Sequence, residues 1–111
     1  MWHLYGAILI SVEKRLPHYS LTTIKATFAT ADKLRMTQSA NNAALSLGFD
    51  SAGVVTVIQT INRSHFYKSM TSHADHKIWQ DVYHVPANSL VLYVKFTTDV
   101  EGYFVIQFKE K

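Results

Sequence analysis

Four segments in the second half of the chain are rich in aromatic and aliphatic residues, as β-strands are, and the last two also alternate with the strand period of two. They are residues 66–71, 78–83, 90–98 and 103–109. The segments 72–77, 86–89 and 100–102 between them are short and carry polar residues, proline or glycine. Because connections of this length join antiparallel neighbours, the pattern predicts an antiparallel meander of about four strands.

Three helices are predicted in the first half of the chain, where hydrophobic residues recur at intervals of three or four. The first follows Ser20, a suitable N-cap. The second begins at Thr37 or Ser39 and ends at Gly48, and the third begins at Asp50. Their hydrophobic stripes are Leu21, Ile24, Phe28 and Ala31, then Ala43, Ala44 and Leu47, then Val54, Val55, Ile58 and Ile61. The expected fold is α+β, with N-terminal helices packed on a C-terminal antiparallel sheet.

Lys68 and Gln80 lie among hydrophobic residues in the first predicted hairpin. A turn centred on Ala74 places these two residues opposite each other. The hydrophobic residues predicted on the same face are Phe66, Met70, Ile78 and Val82. A lysine and an amide in such surroundings need polar partners. A partly buried hydrogen bond between them is the structural explanation, and a functional role is the alternative.

The composition indicates one globular domain. The chain has 111 residues, of which 48% are hydrophobic and 17% charged, which is enough to form a core and argues against disorder. It contains no cysteine, which excludes disulfides and thiolate zinc sites and is compatible with a reducing cytoplasm. The net charge of +3 suits an anionic partner such as RNA without requiring one.

The first eleven residues, MWHLYGAILIS, are mostly hydrophobic and uncharged. They are too short to span a bilayer and lack the basic segment of a signal peptide, so no membrane association is expected. We interpret residues 1–12 as an N-terminal extension and residues 13–111 as the domain. One hypothesis is that translation starts at Val12, and the intact mass of the natively expressed protein tests it.

Several strings of residues resemble the motility quorum-sensing regulator (MqsR) family of toxins. They are EKR at 13–15, PH at 17–18, FYKSM at 66–70, IWQDVY at 78–83 and FKEK at 108–111, so the likeness covers nearly the whole chain. The resemblance implies a type II toxin with the RelE-like ribonuclease fold. Such a toxin cuts single-stranded mRNA in the cytoplasm without a metal or other cofactor, preferentially at GCU-like sequences, and so inhibits translation and growth. The resemblance also implies a zinc-binding antitoxin, MqsA, that neutralises the toxin.

The resemblance further implies an active site made of Lys68, Gln80, Tyr93 and Lys109. Loop lengths that agree with it place all four on one face of the sheet. A three-residue loop at 100–102 sets Tyr93 opposite Lys109, and a four-residue turn at 86–89 sets Tyr93 opposite Val82. The polar residues that extend this strip are Lys95 and Gln107.

Metal-free cleavage uses the neighbouring 2′-hydroxyl of the RNA as nucleophile. Lys68 and Lys109 are expected to stabilise negative charge at phosphorus, Tyr93 to transfer a proton, and Gln80 to orient a phosphate or base edge. A lysine or tyrosine acts as a base near neutral pH only if its pKa is lowered, and we expect neighbouring cations and burial to lower it. The further residues expected to contact RNA are Lys95, Tyr83 and Lys77.

Two segments depart from the family pattern. Residues 84–86, HVP, follow Tyr83 as a loop that is less basic than in the family, which predicts weaker phosphate contacts there. The loop at 99–102 is one residue longer, which is expected to move the last strand relative to Tyr93.

Two other functions compete with the toxin interpretation. In the first, His73 and His76 form half of a metal site or an acid/base pair, and His84 or His18 is a third member. RNA cleavage that continues in the presence of a chelator would exclude the metal site. The second alternative is a toxin-like module that has lost activity and only binds antitoxin or RNA. Growth arrest that is unaffected by substitution of Lys68 would support this alternative.

Overall fold

The computed structural model describes residues 12–72, 75 and 77–111. Three helices precede most of the sheet: α1 (Leu21–Thr27), α2 (Gln38–Ser46) and α3 (Ser51–Thr60). The strands are β1 (Glu13–Lys14), β2 (Phe66–Thr71), β3 (Trp79–Ala87), β4 (Leu90–Thr98) and β5 (Phe104–Glu110). Short 3₁₀ helices lie at Ala31–Lys33 and Arg63–His65. The α+β class is therefore confirmed, and the sheet in the described residues has five strands where the sequence predicted about four.

The sheet is antiparallel, in the order β1-β2-β3-β4-β5. One face packs against the helices and forms the core. The larger core side chains include Ile24, Phe28, Ile58, Ile61, Tyr83, Leu92, Phe96 and Ile106. Within the described part of the chain, no single helix is long and apolar enough to cross a membrane, and only α2 and α3 taken together, bent by 94°, meet that test.

The helix boundaries follow from local capping. The side chains of Ser20, Thr37 and Asp50 each accept a hydrogen bond from the backbone N–H three residues later, as an N-cap does. Gly48 follows α2 with φ of +89°, a conformation that glycine adopts without strain. The predicted starts are confirmed, and Thr37 rather than Ser39 caps α2. The stripe of α3 also includes the buried Val57, which the sequence analysis missed.

The hairpin of β2 and β3 has a different register from the predicted one. Lys68 lies opposite Val82, and Met70 lies opposite Gln80, so the pairing is shifted by two residues. A shift of two leaves Lys68 and Gln80 on the same face. An irregularity between Phe66 and Lys68 turns Phe66 onto the core face, where its ring packs on Tyr83 at 5.5 Å. The prediction that Phe66 shares a face with Lys68 is therefore wrong.

The connection of β3 to β4 is tighter than predicted. Only Asn88 and Ser89 separate the strands, and both have positive φ, 49° and 64°, as a two-residue type I′ turn requires. The segment 84–86 is thus strand rather than loop, and His84, not Val82, lies opposite Tyr93. The three-residue loop at 100–102 is confirmed, because Asp99 pairs with Tyr103 through the backbone. Tyr93 lies opposite Lys109 as predicted, whereas the displacement of the last strand expected from a longer loop stays a prediction.

Asp81 fixes the N-terminal segment to the sheet. Its carboxylate is fully buried and accepts hydrogen bonds from the backbone N–H groups of His18 and Tyr19 and from the Ser69 hydroxyl, at 2.6–3.0 Å. The backbone of His18 is thereby fixed just before the start of α1. The start-site hypothesis concerns residues 1–11, which lie outside the described residues.

We expect Asp81→Ala to reduce the free energy of unfolding by about 3 kcal/mol, because it leaves several buried donors without a partner. Urea denaturation followed by circular dichroism measures the change. Glu101→Ala, in an exposed loop, serves as control and should cost less than about 0.5 kcal/mol. A loss below about 1 kcal/mol for Asp81→Ala would show that the carboxylate does not hold this segment.

Candidate active site

The face of the sheet turned away from the helices carries the polar residues predicted from the sequence. We call it the open face, and define it by Lys68, Gln80, His84, Tyr93, Lys95, Gln107 and Lys109. Along each strand these residues are separated by an even number of positions, so their side chains point to the same face. Across neighbouring strands they lie opposite one another, or opposite residues that point to that same face. The prediction that Lys68, Gln80, Tyr93 and Lys109 lie on one face is confirmed.

Tyr93 lies between two cations on this face. The Lys109 Nζ is 5.0 Å from the centroid of the Tyr93 ring, and Lys68 is near enough to act on the Tyr93 hydroxyl electrostatically. The Lys68 Nζ is also 5.4 Å from the ring centroid of Tyr67. Positive charge from two strands therefore lies near the Tyr93 side chain.

Lys68 has a partner that the sequence analysis did not identify. Its Nζ lies 2.5 Å from Glu13 Oε2, and its side chain is only 19% exposed. The hydrogen bond to Glu13, opposed by burial, raises the pKa of Lys68. The expected lowering of this pKa is wrong, and so is the expected hydrogen bond to Gln80. Lys68 is held as a permanent cation at neutral pH, which suits charge stabilisation and not proton abstraction.

Burial raises the pKa of Tyr93, and the nearby Lys68 only partly offsets this effect. Burial disfavours the charged form of a group, so for a tyrosine it acts against ionisation. The expectation that burial lowers this pKa is therefore wrong. A tyrosine that keeps its proton can donate it but cannot accept one, so Tyr93 is suited to be a general acid.

A depression of about 430 Å³ lies beside Tyr93, at the edge of the sheet formed by β5. The side chains that line it are those of Tyr93, Lys95, Gln107, Phe108 and Lys109, with Ser39 and Ala43 from α2. Burial, and then the positive charge of Lys109, lower the pKa of Lys95. Gln80 and Lys95 border a second depression of about 290 Å³ with Met70. The face thus offers two adjoining hollows next to three lysines, a shape and charge suited to a polyanion.

The chain is similar to known proteins over most of its length. The model of a family described as "Motility quorum-sensing regulator, toxin of MqsA" matches residues 16–110. The chain belongs to this MqsR toxin family. It is also 41% identical over 100 residues to the mRNA interferase toxin MqsR of Escherichia coli (strain K12), a match that covers 90% of this chain and the whole of that relative.

In this member of the MqsR toxin family, two residues predicted to contact RNA, Tyr83 and Lys77, do not lie with the other predicted site residues. Tyr83 is fully buried on the core face, between the rings of Phe66 and Phe96, and burial raises its pKa to about 12. The prediction that Tyr83 contacts RNA is wrong, because its ring cannot reach a base. Lys77 is exposed in the turn after β2. It lines neither depression, so its contact with RNA stays a prediction.

The described histidines do not assemble into one site. His73 and His76 lie outside the described residues. His18 stacks on Trp79 on the core side at 5.3 Å, whereas His84 lies on the open face. Among residues 12–72, 75 and 77–111, no three histidine, aspartate or glutamate side chains form a cluster suited to a metal.

Sequence reasoning missed the role of Glu13 and the stacking of His84 on Tyr67. Glu13 lies in a two-residue strand, too short for an alternating pattern to reveal. His84 is an even number of residues from Gln80 on β3. If the predicted strand had extended to residue 84, His84 would have been placed on the open face. Tyr67 lies at the irregularity in β2, and nothing in the sequence pattern indicated that its ring would turn to the open face.

Proposed function

We propose that this chain is the toxin of a toxin–antitoxin pair and cleaves mRNA over the open face of its sheet. Membership of the MqsR toxin family and the 41% identity to a relative named mRNA interferase toxin support the activity. The observation that carries the proposed site is the grouping of Lys68, Gln80, Tyr93 and Lys109 on one face, at positions given by the family resemblance. The fold is proposed to be RelE-like.

The 2′-hydroxyl attacks the adjacent phosphorus, and the 5′-oxygen of the next nucleotide leaves. Lys68 and Lys109 stabilise the negative charge that builds on the phosphoryl oxygens, because both lysines approach Tyr93. Tyr93 donates its proton to the leaving oxygen. Gln80 orients a phosphate or base edge, and Lys95 binds the neighbouring backbone. The products are a 2′,3′-cyclic phosphate and a 5′-hydroxyl.

The remaining features of the proposal concern substrate and partner. The substrate is single-stranded mRNA, cut preferentially at GCU-like sequences in the cytoplasm, with no metal or other cofactor. The partner is an MqsA-like, zinc-binding antitoxin, in line with the words "toxin of MqsA" in the description of the family. Cleavage then stops translation and growth, and the antitoxin reverses the arrest.

A pair of RNAs tests the function and its selectivity. One carries a single GCU in an unstructured segment, and the other differs only in that triplet. In excess chelator, the purified chain should cut the first RNA at the triplet and leave the second intact. Equal cutting of both would contradict the selectivity, and no cutting together with growth arrest that persists in Lys68→Ala would favour the inactive binding module.

A further inference from the structure

His84 occupies the centre of the open face and has no role in the mechanism so far. It lies directly opposite Tyr93 in the pairing of β3 with β4. Its ring stacks on Tyr67 with centroids 4.3 Å apart and planes inclined by 23°, and its centroid is 5.9 Å from that of Tyr93. A second proton-transfer group is needed in the reaction, because the 2′-hydroxyl must lose a proton while the 5′-oxygen gains one.

The groups that face His84 favour its neutral form. Tyr67 from β2 and Tyr93 from β4 flank the ring, Lys68 is near both tyrosines, and Lys111 follows β5. Burial, and then the positive charge of Lys111, lower the pKa of His84 from its usual 6.5. A neutral imidazole accepts a proton near pH 7, whereas Lys68, whose pKa is raised, and a tyrosine that keeps its proton cannot.

We infer that His84 is the general base of the proposed reaction, paired with Tyr93 as general acid on the adjacent strand. The inference rests on the proposed ribonuclease function and adds a catalytic residue to it. The inference differs from the earlier histidine hypothesis, because it pairs His84 with Tyr93 of the sheet and not with His73 and His76. Tyr67 acts as a positioning residue that holds the imidazole plane by stacking.

The proton balance closes within this pair. A ring nitrogen of His84 takes the proton of the 2′-hydroxyl as the 2′-oxygen forms its bond to phosphorus. The bond from phosphorus to the 5′-oxygen breaks, its electron pair stays on that oxygen, and the Tyr93 hydroxyl supplies the proton. The imidazolium then returns its proton to the Tyr93 phenolate, directly or through water, so that both groups regain their starting forms.

The pH dependence of kcat/KM for RNA cleavage tests this role, because that parameter reports on groups of the free protein. The wild-type chain should lose activity as the pH falls, with a midpoint below 6.5, since protonated His84 cannot accept a proton. His84→Gln should lower kcat/KM at neutral pH about 100-fold and abolish this acid limb. An unchanged acid limb in His84→Gln would overturn the inference.

Rescue distinguishes a base from a merely structural ring. His84→Ala leaves space on a partly exposed face, and added imidazole should restore cleavage in proportion to its neutral fraction. His18→Gln is the matched control, since His18 is also stacked on an aromatic ring and also has a lowered pKa, but on the core side of the sheet. It should keep both the wild-type rate and the acid limb. Absence of rescue would overturn the inference.

One further measurement needs no substitution. The midpoint of the His84 ring titration, followed by NMR in the wild-type chain, should coincide with that of the acid limb, and a clear mismatch would overturn the inference. If Lys68→Met is inactive while His84→Gln keeps the wild-type rate and profile, the proposed function stands and the role of His84 falls. If the wild-type chain does not cut RNA, both fall.

Discussion

Replacing Lys68 with methionine is expected to lower the rate constant for RNA cleavage by about 10³-fold. One preorganised hydrogen-bond donor at a developing oxyanion is worth about 10²–10³ in rate, and a charged donor lies at the upper end of this range. The Lys68 cation is permanent because its pKa is raised by Glu13. Methionine preserves the length and most of the packing of the side chain, so the loss measures the charge. Single-turnover cleavage of the GCU-containing RNA provides the rate.

The control for Lys68 is Lys33→Met. Lys33 is an exposed lysine in the first 3₁₀ helix, remote from the open face in the fold. This substitution removes the same charge and should leave the rate within about twofold, because diffuse electrostatics contribute little at 0.15 M salt. Equal losses in the two variants would mean that Lys68 acts only through net charge. A fully active Lys68→Met would remove this lysine from the site.

The second large effect is expected for Tyr93→Phe, which should lower kcat about 10³-fold with little change in KM. The substitution removes one oxygen atom, and the ring remains to pack below Lys109. General acid catalysis contributes about 10²–10⁴ in rate. Because burial raises the pKa of Tyr93 above its ordinary value of 10.0, the wild-type chain should show no basic limb from this group below pH 10.

A substrate with a sulfur atom in place of the leaving 5′-oxygen tests the role of Tyr93 directly. A thiolate leaves without being protonated, so Tyr93→Phe should cut this RNA within about tenfold of the wild-type rate. Tyr103→Phe, which alters an exposed tyrosine at the start of the last hairpin arm, should behave as wild type on both substrates. A defect in Tyr93→Phe that is equally large on the sulfur substrate would contradict the assignment as general acid.

The sequence predicted the features of this fold that depend on local periodicity and capping. Ser20, Thr37 and Asp50 identify helix starts through the chemistry of their own side chains. The parity of β4 and β5 predicted the pairing of Tyr93 with Lys109, because a short loop containing Gly102 fixes the register. The family resemblance guided the choice of loop lengths that brought the four site residues together.

Contacts between residues far apart in the chain could not be predicted from the sequence. The shift of two residues between β2 and β3 depends on the turn at 72–77, whose composition allows several lengths. The ion pair of Lys68 with Glu13 joins residues 55 positions apart, across a strand of only two residues. Because this pair determines the direction of the Lys68 pKa shift, the sequence alone gave the wrong direction.

In the proposed mechanism, the open face uses the substrate's own 2′-hydroxyl and no metal. Two RNAs test it: one fully ribose, and one with a single 2′-deoxynucleotide on the 5′ side of the mapped cut. In excess chelator, the wild-type chain should cut the first to a 2′,3′-cyclic phosphate and a 5′-hydroxyl and leave the second intact at that position. Cleavage of the deoxy-substituted RNA there, or a product with a 5′-phosphate, would contradict the account.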